Sequence, residues 1–208
     1  MFGGNFQTWK LHSAQDYFMF FAYILAGVLV FWLIAKHMNK QRNHEKAVEK
    51  VSGRLKKICG KPGEVLKNTT LNLPEGKMTF DVVLMDKRGV YLVRTYGWGI
   101  KIYGTPDGAM WRREDAKRKE EFENPLLELK KGAEEIAKVM EENGVQNLKV
   151  MPMVVFADNF QTPELYLGYG SFSTTYQELK NWYKKQSGVK EVQYDYDKVS
   201  SIIKELAK

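Results

Sequence analysis

The longest uninterrupted apolar run lies near the start of the chain. From Tyr17 to Ala35 (YFMFFAYILAGVLVFWLIA) nineteen residues carry no charge, and Phe, Leu, Val, Ile and Met fall on every face of a helical wheel. At about 1.5 Å of rise per residue the run reaches roughly 28 Å, the hydrocarbon thickness of a bilayer. It predicts one transmembrane helix at 17–35 after a short tail at 1–16, with Trp9, Tyr17 and Trp32 as interfacial aromatics. A cleaved signal peptide would have a basic start and a small-x-small site. Here the only charges before the run are Lys10 and Asp16, and Lys36-His37-Met38-Asn39-Lys40 follows it. Beyond the run the pattern becomes amphipathic, with Ala47, Val48, Val51, Leu55 and Ile58 at spacings of three and four. No Pro lies between Lys36 and Ile58, so one continuous helix is expected to leave the membrane, carry the basic segment 36–61 and end at Gly60 and Pro62.

Residues 62–208 then read as one domain. Val65–Leu73, Met78–Met85, Val90–Tyr96 and Ile100–Tyr103 alternate or run apolar between Pro/Gly/Asp turns. The last three predict an antiparallel meander. Met110–Arg112 reads as a short edge strand, and Arg112–Glu123, mixed in charge and without an apolar period, as a solvated loop. Asn124-Pro125 predicts a helix start, with Leu126, Leu129, Ile136, Ala137 and Met140 as its buried stripe and Asn143-Gly144 as its stop. Lys149–Phe156 reads as a central strand, and the strand-helix-strand order permits parallel pairing. Ser173 or Thr174 is expected to cap a helix reaching about Gln186, and Asp195 or Asp197 to open the last one.

Charge fixes an orientation. The net +7 resides entirely between Lys36 and Lys61, where nine basic residues face two acidic ones; elsewhere 23 of each cancel. The positive-inside rule then places the amino terminus outside and residues 62–208 in the cytoplasm. Lys36, Lys40, Arg42 and Lys46 are expected at the surface of anionic lipid, the expected membrane partner. The domain itself is not a uniformly basic nucleic-acid binder. One cysteine, Cys59, excludes an intramolecular disulfide, and no Cys/His cluster points to zinc. The three histidines, His12, His37 and His44, all lie in or beside the membrane region, so a histidine-dependent triad in the domain is not expected. Candidate docking aromatics are Trp98 in the Gly97-Trp98-Gly99 turn, Trp111 beside Arg112 and Arg113, and Tyr166, Tyr169 and Phe172 around Gly168 and Gly170.

The meander motif TFDVVLMDKRGVYLV, with Asp81 in the first strand and Gly89 in the turn, is followed by Arg94-Thr95-Tyr96, then Trp111 and Asn124-Pro125-Leu126. Together with VVFAD (154–158) and TTYQELKNWYKK, these motifs resemble the nuclease-related (NERD) domain over about residues 45–206. This implies an α/β fold, a restriction-endonuclease-like mixed sheet flanked by helices, preceded by the one transmembrane helix. In that family's pattern two carboxylates hold Mg²⁺ and a Lys two residues after the second one orients the attacking water. Asp81 occupies the first position, but Arg94 stands at the second carboxylate and Tyr96 at the Lys. The resemblance therefore implies a degenerate site in which Asp81 pairs with Arg94, no metal or other cofactor is bound, and the chain is not an enzyme. The implied role is a binding or assembly module with protein partners in a bacterial membrane complex. The alternatives are a membrane-tethered, Mg²⁺-dependent nuclease whose ligands have moved to Glu45 or Glu49 with Lys101 as the base, or a non-cleaving nucleic-acid binder.

Overall fold

A computed structural model describes residues 14–41, 43–97, 100–115, 118–158, 161–185 and 194–208, with side chains omitted for 37–41. Trp98, Arg42 and the Lys40 side chain therefore lie outside the described residues. The chain divides into two units, Met1–Lys40 and Gln41–Lys208. In the first, helix α1 (Ala14–Gln41) contains a stretch, Ala14–Lys36, long and apolar enough to cross a membrane, and none of it is buried by protein. Lys36 places its ammonium 4.7 Å from the centre of the Trp32 ring, so a cation and an amphipathic ring sit together at the end of the apolar run.

The expected continuous helix is interrupted. Helix α2 (His44–Cys59) starts afresh, because Asn43 adopts an extended conformation and its side chain accepts the Glu45 amide at 2.9 Å. The sequence from Lys36 to Ile58 has no helix breaker, and an Asn that can cap is silent until its backbone conformation is seen. At the far end Gly60, with φ +65°, terminates α2 as the sequence indicates.

Among the described residues nine strands follow: β1 (Glu64–Leu73), β2 (Gly76–Asp86), β3 (Gly89–Tyr96), β4 (Lys101–Gly104), β5 (Met110–Glu114), β6 (Lys119–Glu123), β7 (Val150–Phe156), β8 (Glu164–Leu167) and β9 (Ser173–Thr175). Helix α3 (Pro125–Glu142) precedes β7, and α4 (Leu179–Lys185) and α5 (Tyr196–Leu206) close the chain. They form two mixed sheets flanked by helices, not one: β1-β2-β3-β7-β9 and β6-β5-β4-β8. In the first, β1, β2 and β3 are antiparallel, while β3 and β7 pair in parallel with Val90 opposite Val150.

Helices cover both faces of that sheet. Ala47, Val48, Val51 and Leu55 of α2, with Leu179 and Tyr183 of α4, pack on Val82, Leu84, Tyr91 and Val93. Leu126, Leu129 and Ile136 of α3, with Val199 and Ile203 of α5, pack on Phe80, Val83, Met85, Val90 and Leu92. Both faces being buried explains why β2, β3 and β7 read as continuous apolar runs rather than alternating ones.

Three local expectations are corrected. β4 leaves the meander and pairs with β5 and β8 in the second sheet. The charged stretch expected to be a loop is the β5–β6 hairpin, with Arg113 opposite Glu120 and their side chains 2.8 Å apart. Cross-strand charge pairs of this kind support a strand without an apolar period. Ser173–Thr175 is a strand beside β7, and the following helix is only α4.

Candidate functional site

The site grows from a local fault in the meander. β2 and β3 pair only as far as Val82 and Val93; beyond them β2 stays with β1 and β3 stays with β7. Phe80 and Val83 face the α3 side while Val82 faces α2, so the strand switches faces at Asp81. Asn68 of β1, between Lys67 and Thr69 that pair with Val82 and Phe80, adopts φ +46°. Asp81 thus sits where two strands part, and its carboxylate takes over the hydrogen bonds that the ladder no longer supplies. Oδ2 accepts the Thr95 amide at 2.6 Å and the Thr95 hydroxyl at 3.1 Å. The residue is 4% exposed.

Its other oxygen faces two cation-forming groups from opposite sides of the sheet. Arg94 Nη1 donates to Oδ1 at 3.4 Å, and His44 Nε2, from the first turn of α2, stands 3.3 Å from the same atom, an ion pair when the imidazole is protonated. Arg94 Nη2 reaches onward to Glu128 Oε2 on α3 at 2.7 Å. The guanidinium therefore occupies the space between two carboxylates. Burial pulls the Arg94 pKa down, and Asp81 and Glu128 more than offset that, so it lies above its ordinary value.

Tyr96 points into the core, stacked on Phe156 with ring centres 5.6 Å apart and tilted against Phe122 at 5.3 Å. Burial pushes its hydroxyl up to about 12, so it stays neutral and supplies no base near neutral pH.

A Mg²⁺ ion would need several oxygens with free lone pairs. One Asp81 oxygen is occupied by Thr95, the other faces Arg94 and His44, and the guanidinium stands where a cation would repel it. The residues present do not fit a divalent metal. Among the described residues no group of three or more His, Cys, Asp or Glu side chains is arranged to hold one. Glu45 and Glu49 are exposed on α2, and the Lys101 ammonium lies 3.9 Å from Glu164 in the second sheet, so none of the proposed substitutes joins the cluster.

Sequence reasoning found Asp81 and Arg94 and missed three partners. His44 belongs to the domain, contrary to the reading that assigned all histidines to the membrane region, because α2 restarts immediately before it. Glu128 lies four residues after the Asn124 that starts α3, a spacing that puts it on the first helical turns with no motif to mark it. Thr95 acts mainly through its amide, which no side-chain pattern reveals.

The docking aromatics separate. Trp111 is 1% exposed with its indole N–H on the Thr105 carbonyl at 2.9 Å, so it is core and presents no stacking face. Tyr166, Tyr169 and Phe172 are exposed; Tyr166 stacks on Tyr103 with centres 4.8 Å apart, and its hydroxyl donates to Glu164 at 2.6 Å. Of the basic residues assigned to the lipid surface, Lys36 is exposed and Lys46 half-buried.

The Asn-Pro motif is explained by architecture. Asn124 Oδ1 caps α3 by accepting the Leu126 amide at 3.0 Å, Pro125 fills a first-turn position, and the Asn124 amide group donates to the carbonyls of Pro106 at 3.1 Å and Gly108 at 2.7 Å. The motif pins the β4–β5 loop to the helix.

A family model described as Nuclease-related domain (NERD) matches residues 40–157, more than half of the 208 residues. The matched segment runs from the approach to α2 through β7 and stops short of β8, β9, α4 and α5, so the wider resemblance to residue 206 is not covered by it. No curated protein and no solved structure matches the chain.

Proposed function

The chain belongs to the nuclease-related domain (NERD) family, and from that premise we propose that it is a membrane-anchored member whose nuclease site has become a structural lock. The domain then serves as a binding or assembly module for protein partners on the cytoplasmic side. The observation that carries the reading is the Arg94 guanidinium bridging Asp81 and Glu128, where the pattern calls for a second carboxylate and a metal. Such a bridge converts a metal-binding pair of strands into a salt-bridged cross-link between β2, β3 and α3. The apolar helix and the nine cations between Lys36 and Lys61 support an anchor with the domain on the cytoplasmic face.

The test is calorimetric titration of the full chain in detergent micelles with Mg²⁺ and Mn²⁺, alongside cleavage of plasmid DNA. No heat of binding and no cleavage are expected. Arg94→Glu, which replaces the guanidinium by a third carboxylate beside Asp81 and Glu128, is expected to gain a divalent-cation site. Metal binding by the natural sequence, with cleavage abolished in Asp81→Ala, overturns the reading in favour of a surviving nuclease.

A further inference from the structure

On the α2 side of the first sheet, a groove of about 680 Å³ opens between α2, α4 and the β2–β3 turn. Among the described residues ten line it; six are cations, Lys50, Arg54, Lys57, Arg88, Lys180 and Lys184, and none of the ten is acidic. The sequence accounts for this convergence only in part. Lys50, Arg54 and Lys57 recur on one face of α2, and fall within the basic stretch that the positive-inside pattern already explains. Arg88, Lys180 and Lys184 lie 30 and more residues downstream, in the remainder of the chain whose charges cancel as a whole. Positive charges gathered around one concavity raise the local potential for an anion.

Two of the cations are held in place by aromatic rings. The Arg54 guanidinium lies 4.6 Å over Tyr176 and donates to the Gln177 carbonyl at 3.3 Å; that of Arg88 lies 4.1 Å over Tyr183 and donates to the Tyr183 carbonyl at 2.9 Å. Both guanidiniums are fixed through carbonyls and π faces and, among the described residues, not through an ion pair with a carboxylate, which leaves them able to meet an anion's oxygens. The neighbouring carboxylate, Asp86, is 3% exposed; its oxygens take the Tyr183 hydroxyl and the Arg88 amide, so it faces inward.

Gly53 supplies an independent observation. It stands mid-helix in α2, where Gly costs about 1 kcal/mol relative to Ala. A Cβ added there would meet nothing within 4 Å, so no packing constraint requires the glycine. It lines the groove between Lys50, Arg54 and Lys57, and the missing side chain keeps the floor open.

We propose that this groove is a binding site for a ligand bearing clustered phosphates, such as a phosphomonoester lipid headgroup or a soluble polyphosphate. Arginines held flat on rings suit bidentate phosphate oxygens, and exposed lysines at the rim suit a ligand of several charges. The volume lies in the range of small-molecule sites. The groove is separate from the Asp81 cluster, and α4, which forms one wall, lies outside the segment that the family model matches. It therefore stands whether or not the nuclease site is silent.

The experiment uses the full chain in phosphatidylcholine nanodiscs, titrated calorimetrically with inorganic tripolyphosphate. Saturable binding is expected. Lys57→Glu/Lys180→Glu should weaken it by about tenfold or more, while Lys67→Glu/Lys77→Glu, the same change of net charge on β1 and β2, should not. Gly53→Leu should weaken it comparably with no change of charge, and its unfolding midpoint should not fall, since the helix has room for the side chain. Discs in which about one lipid in five is phosphatidic acid separate the sources. A loss of apparent tripolyphosphate affinity there identifies the headgroup as occupant; unchanged affinity identifies a soluble phosphate. No saturable binding in phosphatidylcholine discs, or binding indifferent to Gly53→Leu and to the groove cations, overturns the proposal.

Discussion

Asn124 shows how a residue that resembles part of a catalytic motif is required by geometry alone. Its two side-chain ends do different work, the oxygen capping α3 and the nitrogen holding the carbonyls of the loop 105–108, at 4% exposure. Asn124→Ala should lower the unfolding free energy by about 2–4 kcal/mol, from a lost cap together with unsatisfied carbonyls. Asn124→Asp keeps the cap but turns a carboxylate toward those carbonyls, so it should rescue little. Chemical denaturation of the three chains checks this, and an Asp variant as stable as the natural chain would refute the double role. At the same scale, the candidate site was half legible. Asp81 and Arg94 are readable through the resemblance to the nuclease-related pattern, and their pairing across the gap between β2 and β3 follows from opposite charge. Thr95 was not readable, because what the site uses first is a backbone amide exposed where the ladder ends. Neither was His44, whose membership of the domain depends on a helix break at Asn43.

Among the elements, α5 is tied to the edge strand β1 by a polar latch that makes a pH-dependent prediction. Glu64 Oε2 accepts from Lys204 at 2.9 Å and from the Ser200 hydroxyl at 2.9 Å. The hydrogen bond from Lys204 is the largest cause that holds the Glu64 carboxyl below its ordinary value; burial opposes it, and the Ser200 hydroxyl and the Lys204 charge add to the lowering. A carboxyl depressed in the folded state contributes stability that is fully present above the unfolded pKa of about 4.3 and is lost as pH falls through the lower folded value. Glu64→Gln should therefore melt below the natural chain at pH 7 and converge on it by about pH 3. Thermal unfolding at both pH values decides it: a gap of equal size at pH 3 would mean that the latch acts through shape, not ionisation. The elements themselves were legible where periodicity or caps are strong, as in α3, α5 and the runs of β2, β3 and β7. They were illegible where strand formation rests on cross-strand charge, as in the β5–β6 hairpin, or where β4 leaves the meander for another sheet. The burial of Trp111 followed from that second sheet, whose existence no local pattern announces.

The whole molecule combines an apolar helix that no protein surface covers with an α/β unit that begins at its own capped helix. The break at Asn43 matters for how the two are joined, because an independently capped α2 is stabilised by the Ala47, Val48, Val51 and Leu55 stripe against the sheet and needs no helical continuity with the membrane segment. The expected orientation then rests on positive charge, not on helical rigidity: nine cations follow the apolar run within residues 36–61, against Lys10 alone before it. Impermeant maleimide applied to intact cells tests this directly. The native thiol interferes little, since burial, aided by the nearby Asp86 charge, pushes the Cys59 pKa up and leaves less of the reactive thiolate at neutral pH. Asn5→Cys should be labelled before lysis, and Lys77→Cys, at the exposed start of β2, only after it. The reverse pattern would put the domain outside and remove topology as the reason for the cations of 36–61, of which only Lys50, Arg54 and Lys57 line the proposed phosphate groove.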